Sequence, residues 1–202
     1  MTSPAIAALR RLRPQPPAPR PERCALCAHP LEPRHEHLLD VSTRQLECAC
    51  TACALLFDST STHKRRLPRD SRLLANFDLS PQEWASLQIP IRLAFLSRTS
   101  QSPDMLAAFP SPAGAVTAAL PADVWAVIES RHPELARLVP DVEALLVNRM
   151  QTPHLAFVTP LDRCYELTGV IRSVWRGLSG GAEVQRRLAQ FCAELAREAR
   201  IA

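Results

Sequence analysis

Glycine is scarce in this 202-residue chain: there are 5, and three of them fall in Trp175-Arg176-Gly177-Leu178-Ser179-Gly180-Gly181. That segment lacks the Lys-Ser/Thr pair of a P-loop and follows no predicted strand, so it reads as a helix-to-helix connection and not as a phosphate cradle. Aromatic residues make up only 5% of the chain, and none is interleaved with basic residues in the pattern that stacks nucleic-acid bases. No stretch approaches the roughly 18 uninterrupted apolar residues that cross a bilayer. The N-terminal arginines precede no apolar run with a small-residue cleavage site, so no secretory signal is expected. Neither a Ser-His-Asp nor a Cys-His constellation can be argued from the spacing. Asp162, Glu166, Arg172 and Arg176, with Tyr165 nearby, read as a polar helix face without a nucleophile to serve. The expectation is a soluble, cytoplasmic protein that is not an enzyme.

A charge bias is also missing where it would matter. Residues 1–23 hold Arg10, Arg11, Arg13, Arg20 and Arg23 against Glu22, a surplus of +4 that equals the formal net charge of the whole chain. Residues 24–202 are therefore neutral, whereas a dedicated nucleic-acid binder spreads basic groups over a folded face. One basic run remains, His63-Lys64-Arg65-Arg66 followed by Arg69 and Arg72, and it reads as a solvated connector or protein-docking strip. A nucleic-acid-binding regulator is the weakest of the functional alternatives. Proline is abundant at the start, with Pro4, Pro14, Pro16, Pro17, Pro19 and Pro21, so residues 1–22 are expected to be a disordered Pro/Arg-rich leader.

Cysteine carries the strongest positive signal. Five of the seven fall within thirty residues, as Cys24-Ala25-Leu26-Cys27 and Cys48-Ala49-Cys50-Thr51-Ala52-Cys53. Cys24/Cys27 and Cys50/Cys53 are two C-x2-C pairs separated by 22 residues, and each pair sets two thiolates on one tight turn. Two such turns joined by a hairpin supply four sulfur ligands, a closed set that favours structural zinc. The same thiolates can instead hold iron or an iron-sulfur cluster. Cys48 is a spare thiol that could replace Cys50, and His35 and His37, on one side of a predicted strand, are candidates for an extra or transferable metal site beside it. A Rieske centre is disfavoured because each ligand pair lacks its histidine. Cys164 and Cys192 lie on apolar stripes and read as core.

Residues 23–58 are thus a zinc-ribbon-like module, with strands at 35–41 and 44–48 and an apolar strand at 54–57. Residues 59–76 form the basic connector, and 77–202 a larger α+β domain. There, Ser80-Pro81-Gln82-Glu83 has the form of a helix start. Strands are expected at 91–97 and 105–109 around a turn at 98–104, and at 142–150 and 154–159. A helix is expected from Pro121 to about Arg131. Leu161, Cys164, Thr168, Ile171, Trp175 and Leu178, then Val184, Leu188, Phe191 and Leu195, recur at helical steps and define two C-terminal helices. The fold class is α+β: the small module, then a mainly antiparallel sheet with flanking helices and the two C-terminal helices.

Several stretches carry a family resemblance: Arg23-Cys24-Ala25-Leu26-Cys27, His35-Glu36-His37-Leu38-Leu39-Asp40, and residues 48–57 from Cys48 to Phe57. Pro110-Ser111-Pro112-Ala113-Gly114, residues 140–149 from Pro140 to Arg149, and Trp175 to Gly181 match as well. Together they resemble an uncharacterised bacterial family whose genes stand beside those of uptake nickel-iron hydrogenases, notably the high-affinity actinobacterial type. The resemblance covers nearly everything from Arg23 onward. It implies an accessory role in hydrogenase maturation or assembly, with a hydrogenase subunit or maturation factor as protein partner, and it implies no mechanism. Arg149, Arg172 and Arg176 are the residues expected to form the docking surface.

Overall fold

The computed structural model describes residues 21–57, 63–177 and 181–201. The expected leader up to Arg20, and Leu178 of the helical stripe, lie outside the described residues.

Strands β1 (Glu36–Asp40) and β2 (Leu46–Ala49) pair antiparallel across a hairpin, as the spacer between the cysteine pairs predicts. The Asp40 carboxylate closes that turn by accepting the Ser42 hydroxyl and the backbone amides of Ser42 and Thr43. These bonds, the Ser42 hydroxyl foremost, hold its pKa below the usual carboxylate range. The expected strand at 54–57 is instead a short helix, α1 (Thr51–Leu55). The Cys50 carbonyl accepts the Ala54 amide at 2.9 Å, so the second cysteine turn continues into helical winding. The basic stretch expected as a connector supplies two strands. β3 (Lys64–Arg66) pairs antiparallel with the free edge of β1, and β4 (Arg72–Leu73) enters the large sheet.

The helix start at Ser80 forms α2 (Pro81–Ser86) with a complete capping box: Ser80 Oγ accepts the Glu83 amide at 3.2 Å, and the Glu83 carboxylate accepts the Ser80 amide at 2.7 Å. Ser80→Ala removes half of this exchange and is expected to cost about 1 kcal/mol. For a domain of this size that is a fall in Tm of about 2–4 °C by calorimetry.

The chain continues through β5 (Leu93–Thr99), β6 (Ser102–Ser111), β7 (Gly114–Leu120), α3 (Ala122–Arg131), a 3-10 turn over Pro133–Arg137, β8 (Glu143–Asn148) and β9 (Leu155–Pro160). It ends with α4 (Leu161–Val174), α5 (Gly181–Glu198) and β10 (Arg200–Ile201). The large sheet has seven strands in the order β10-β4-β9-β8-β5-β6-β7, antiparallel except for the β10-β4 pair. The sequence does not announce β7: Gly114-Ala115-Val116-Thr117-Ala118-Ala119-Leu120 is alanine-rich and mostly exposed on the sheet edge, so its two β-branched residues stand without a buried alternation. The turn expected at 98–104 is correspondingly shorter, because β6 starts at Ser102.

Helices cover both faces. On one face Phe95, Leu146 and Phe157 pack against Leu161, Cys164, Leu167 and Ile171 of α4 and Leu188, Phe191 and Cys192 of α5. On the other, Leu96, Leu145, Val147 and Val158 pack against Leu79, Trp125, Ile128 and Leu135. Neighbouring residues such as Leu145 and Leu146 serve opposite cores because side chains alternate along a strand. Every residue of β8 is buried, which is why its centre, Ala144 to Val147, reads as an unbroken apolar run.

The small sheet is built onto this domain. Leu38 points into the cysteine module with Cys24, Ala49 and Ala54, whereas Leu39, with Leu67, joins the core under α4 and α5. Asp141, fully buried just before β8, accepts the Ser100 amide at 3.0 Å and faces Arg44 at 3.3 Å and Arg65 at 3.7 Å. One carboxylate therefore joins the β1-β2 turn, β3 and the β5-β6 turn.

Candidate metal centre

Sγ atoms of Cys24, Cys27, Cys50 and Cys53 all lie within 4.8 Å of one another. The first pair stands on a turn closed by the Cys24 carbonyl, which accepts the Ala28 amide at 2.8 Å, and the Cys24 amide donates to the His29 carbonyl at 2.9 Å. Ala28 completes that turn in the left-handed region at φ 60°. The second pair spans the start of α1. The Ala25 amide donates to the Cys48 carbonyl at 2.9 Å, which stitches the first turn to β2 and brings the pairs together. Cys27 and Cys50 have their sulfurs 3.7 Å apart. A tetrahedral ion with metal–sulfur bonds of about 2.3 Å sets its sulfurs about 3.8 Å apart, so this pair already sits at ligand spacing. The seven cysteines are all free thiols.

The electrostatics of Cys24 and Cys53 differ strongly. Cys24 is 3% exposed, and burial alone would raise its pKa. The amides of Cys50, Cys27 and Leu26 point at its sulfur and instead bring it down to about 6. Hydrogen bonds with Cys27 and Cys50 push Cys53 up to about 12. One thiolate is thus stable alone, and the next resists ionisation until a cation compensates the accumulating charge. Four thiolates around one divalent ion resolve that conflict. A cleft of about 620 Å³ opens beside the centre, lined by Cys27, Cys50, Cys53 and His35 among others.

Cys48 takes no place in this set. It lies in register with His37 across β1-β2, and its sulfur groups with the ring nitrogens of His35 and His37, again within 4.8 Å. Burial raises its thiol pKa. His37 Nδ1 is 2.7 Å from the carboxylate of Asp162 in the first turn of α4, and this hydrogen bond raises the imidazole pKa. The Asp162 contact spans 125 residues of chain and has no sequence signature.

The expected arginine surface does not assemble as one patch. Arg149 is 7% exposed, its guanidinium stacked over Trp84 at 5.3 Å with the Ser80 carbonyl at 3.5 Å, on the side of the sheet away from α4. Arg172 and Arg176 are exposed at the end of α4. The basic run is absorbed into ion pairs: Lys64 with Glu47 at 2.5 Å, Arg66 with Glu36 at 3.1 Å, Arg69 with Glu36 at 2.5 Å and Arg72 with Glu143 at 3.1 Å. Cys164 and Cys192 are fully buried, as their apolar stripes predict. Among the described residues, no helix is long and apolar enough to cross a membrane.

Residues 23–199 match the profile of the Family of unknown function (DUF5947), and the chain belongs to that family. No curated protein matches it, and no solved structure matches it.

Proposed function

We propose that this DUF5947 protein is a non-enzymatic, cytoplasmic accessory protein whose Cys24, Cys27, Cys50 and Cys53 hold one structural zinc ion, and that the stapled module docks on a hydrogenase subunit or maturation factor. The observation that carries the metal part is the convergence of four sulfurs from two turns, one pair of them 3.7 Å apart. Zinc suits the set because four thiolates on two turns leave no coordination position open. The ion would supply folding energy to a module whose fully buried cluster, among the described residues, is Cys24, Leu38, Ala49 and Ala54.

The partner class follows from the resemblance carried by the cysteine, His35-Glu36-His37 and Trp175–Gly181 stretches. What supports docking is the surface beside the ligand turns, where Leu26, Leu55 and Leu56 are 42%, 54% and 74% exposed. Arg172 and Arg176 offer a second, charged contact at the end of α4. The paired state of Arg66, Arg69 and Arg72 favours protein docking over phosphate binding. The test is co-purification of the tagged full-length chain with hydrogenase subunits and maturation proteins under assembly conditions. Co-elution is expected, at least tenfold weaker with Leu56→Asp while Tm is unchanged. A clean pull-down under those conditions contradicts the docking role.

A second reading has iron in the same thiolates, for electron transfer or cluster handling. The exposure of Cys27 at the mouth of the cleft favours it. Colour separates the two, because thiolate-bound iron absorbs in the visible and zinc does not.

A further inference from the structure

We infer that His35, His37 and Cys48 form a second metal site, separate from the four-cysteine centre, which binds a borderline divalent ion such as zinc through two imidazole nitrogens and one thiolate. The register of the hairpin builds it. His37 and Cys48 are direct cross-strand partners, and the rings of His35 and His37 stand 4.8 Å apart, centroid to centroid, in an edge-to-face arrangement. One nitrogen from each histidine and the Cys48 sulfur lie within 4.8 Å of one another. A metal–sulfur and a metal–nitrogen bond at tetrahedral angles set their donor atoms about 3.6 Å apart, so closing on a metal requires side-chain movements of up to about 1 Å.

The hydrogen bonds around the rings select the ligating atoms. His35 Nδ1 lies 2.9 Å from the Glu32 carbonyl. A carbonyl only accepts, so His35 carries a proton at Nδ1, which in the neutral ring leaves the lone pair at Nε2. The His35 side chain is 7% exposed, and its Nε2 is buried without a hydrogen-bond partner. A buried acceptor left unmet is unfavourable, and a metal ion at Nε2 would satisfy it. His37 Nδ1 is held by Asp162 at 2.7 Å, which leaves its Nε2 for the metal. A carboxylate or carbonyl on the far nitrogen is the usual support of a metal-bound imidazole, and here each histidine has one.

The two centres differ in chemistry. The cysteine set is closed, whereas two nitrogens and one sulfur leave the fourth position to water or to an incoming ligand. The exposed Glu22 carboxylate, 3.6 Å from His35 Nε2, is available to fill it. Binding displaces the Cys48 thiol proton to solvent, together with the Nε2 proton of any imidazole that is protonated. An open site of this kind suits an ion that is exchanged or passed on, and Asp162 couples its occupancy to the start of α4.

The test is anaerobic titration of the full-length, zinc-loaded chain with Co2+, read by elemental analysis and by the thiolate-to-cobalt absorption band. Wild type is expected to bind two metal ions per chain, and Cys48→Ser and His35→Ala one each, without the band that appears in wild type at the second equivalent. Asp162→Asn, in which Asp162 acts as a positioning residue, is expected to keep two ions per chain but weaken the second about 10–100-fold. One ion per chain in wild type, or two bound with unchanged affinity in Cys48→Ser, overturns the inference. So does a count that falls from one to zero in Cys48→Ser, which would place Cys48 in the first centre.

Discussion

Cys24→Ser abolishes the first metal centre and unfolds the small sheet while the seven-stranded sheet remains. Cys24 is the buried ligand, and among the described residues the fully buried cluster behind it is Leu38, Ala49 and Ala54, with Leu31 and Phe57 partly buried against it. A core that small cannot offset the entropy of ordering its strands. Structural zinc contributes about 10–16 kcal/mol of apparent binding energy in small zinc modules, comparable to the whole stability of an ordinary domain. The large sheet has separate support, since its two cores include Phe157, Leu145 and Leu146 at 0% exposure. Hydrogen exchange checks this: protection should vanish over residues 36–49 and persist over 93–98 and 143–158. Chelation of the wild-type chain should reproduce the pattern. Wild-type protection of β1 and β2 in Cys24→Ser, or in the chelated chain, would mean that the module folds without metal.

Asp141→Asn is expected to cost about 3 kcal/mol, the lower end of the range for breaking a buried ion pair. Asparagine keeps the size and tolerates the φ of 70° at this position, so the substitution isolates the charge. The loss falls on Arg44 and Arg65, whose side chains are 22% and 41% exposed and recover part of their hydration, which sets the effect at the low end. Calorimetry should show Tm lower by about 6–12 °C. Because Asp141 ties the β1-β2 turn and β3 to the large domain, the variant should also loosen β3 in hydrogen exchange without reducing metal content. An unchanged Tm would mean that Leu39, Leu67 and the His37–Asp162 contact hold the module without this charge.

The elements legible in the sequence are those with local causes. The helix start at Ser80 carries its own hydrogen bonds, and the stripes of α4 and α5 show a 3.6-residue period because one face is buried. The two cysteine pairs were legible for the same reason: each is a single turn. What escaped the sequence depends on distant partners. β3 looks like a solvated charge run because its arginines and lysine are neutralised by Glu36, Asp40, Glu47 and Asp141 from other segments. Residues 54–57 look like a strand because three of the four are large and apolar, yet Leu55 at the end of α1 and Leu56 just after it are exposed. Arg149 looks like a surface charge at the end of a strand, but the packing of α2 places Trp84 under it. Asp162 could not be linked to His37 by any local pattern.

The most direct test of the account is metal content with an absorption spectrum, on full-length Cys48→Ser protein purified anaerobically without added metal. That variant retains the four-cysteine centre alone. The account predicts one zinc per chain and no visible band. Iron with a visible band, or protein that is folded over residues 36–49 and carries no metal, would contradict it.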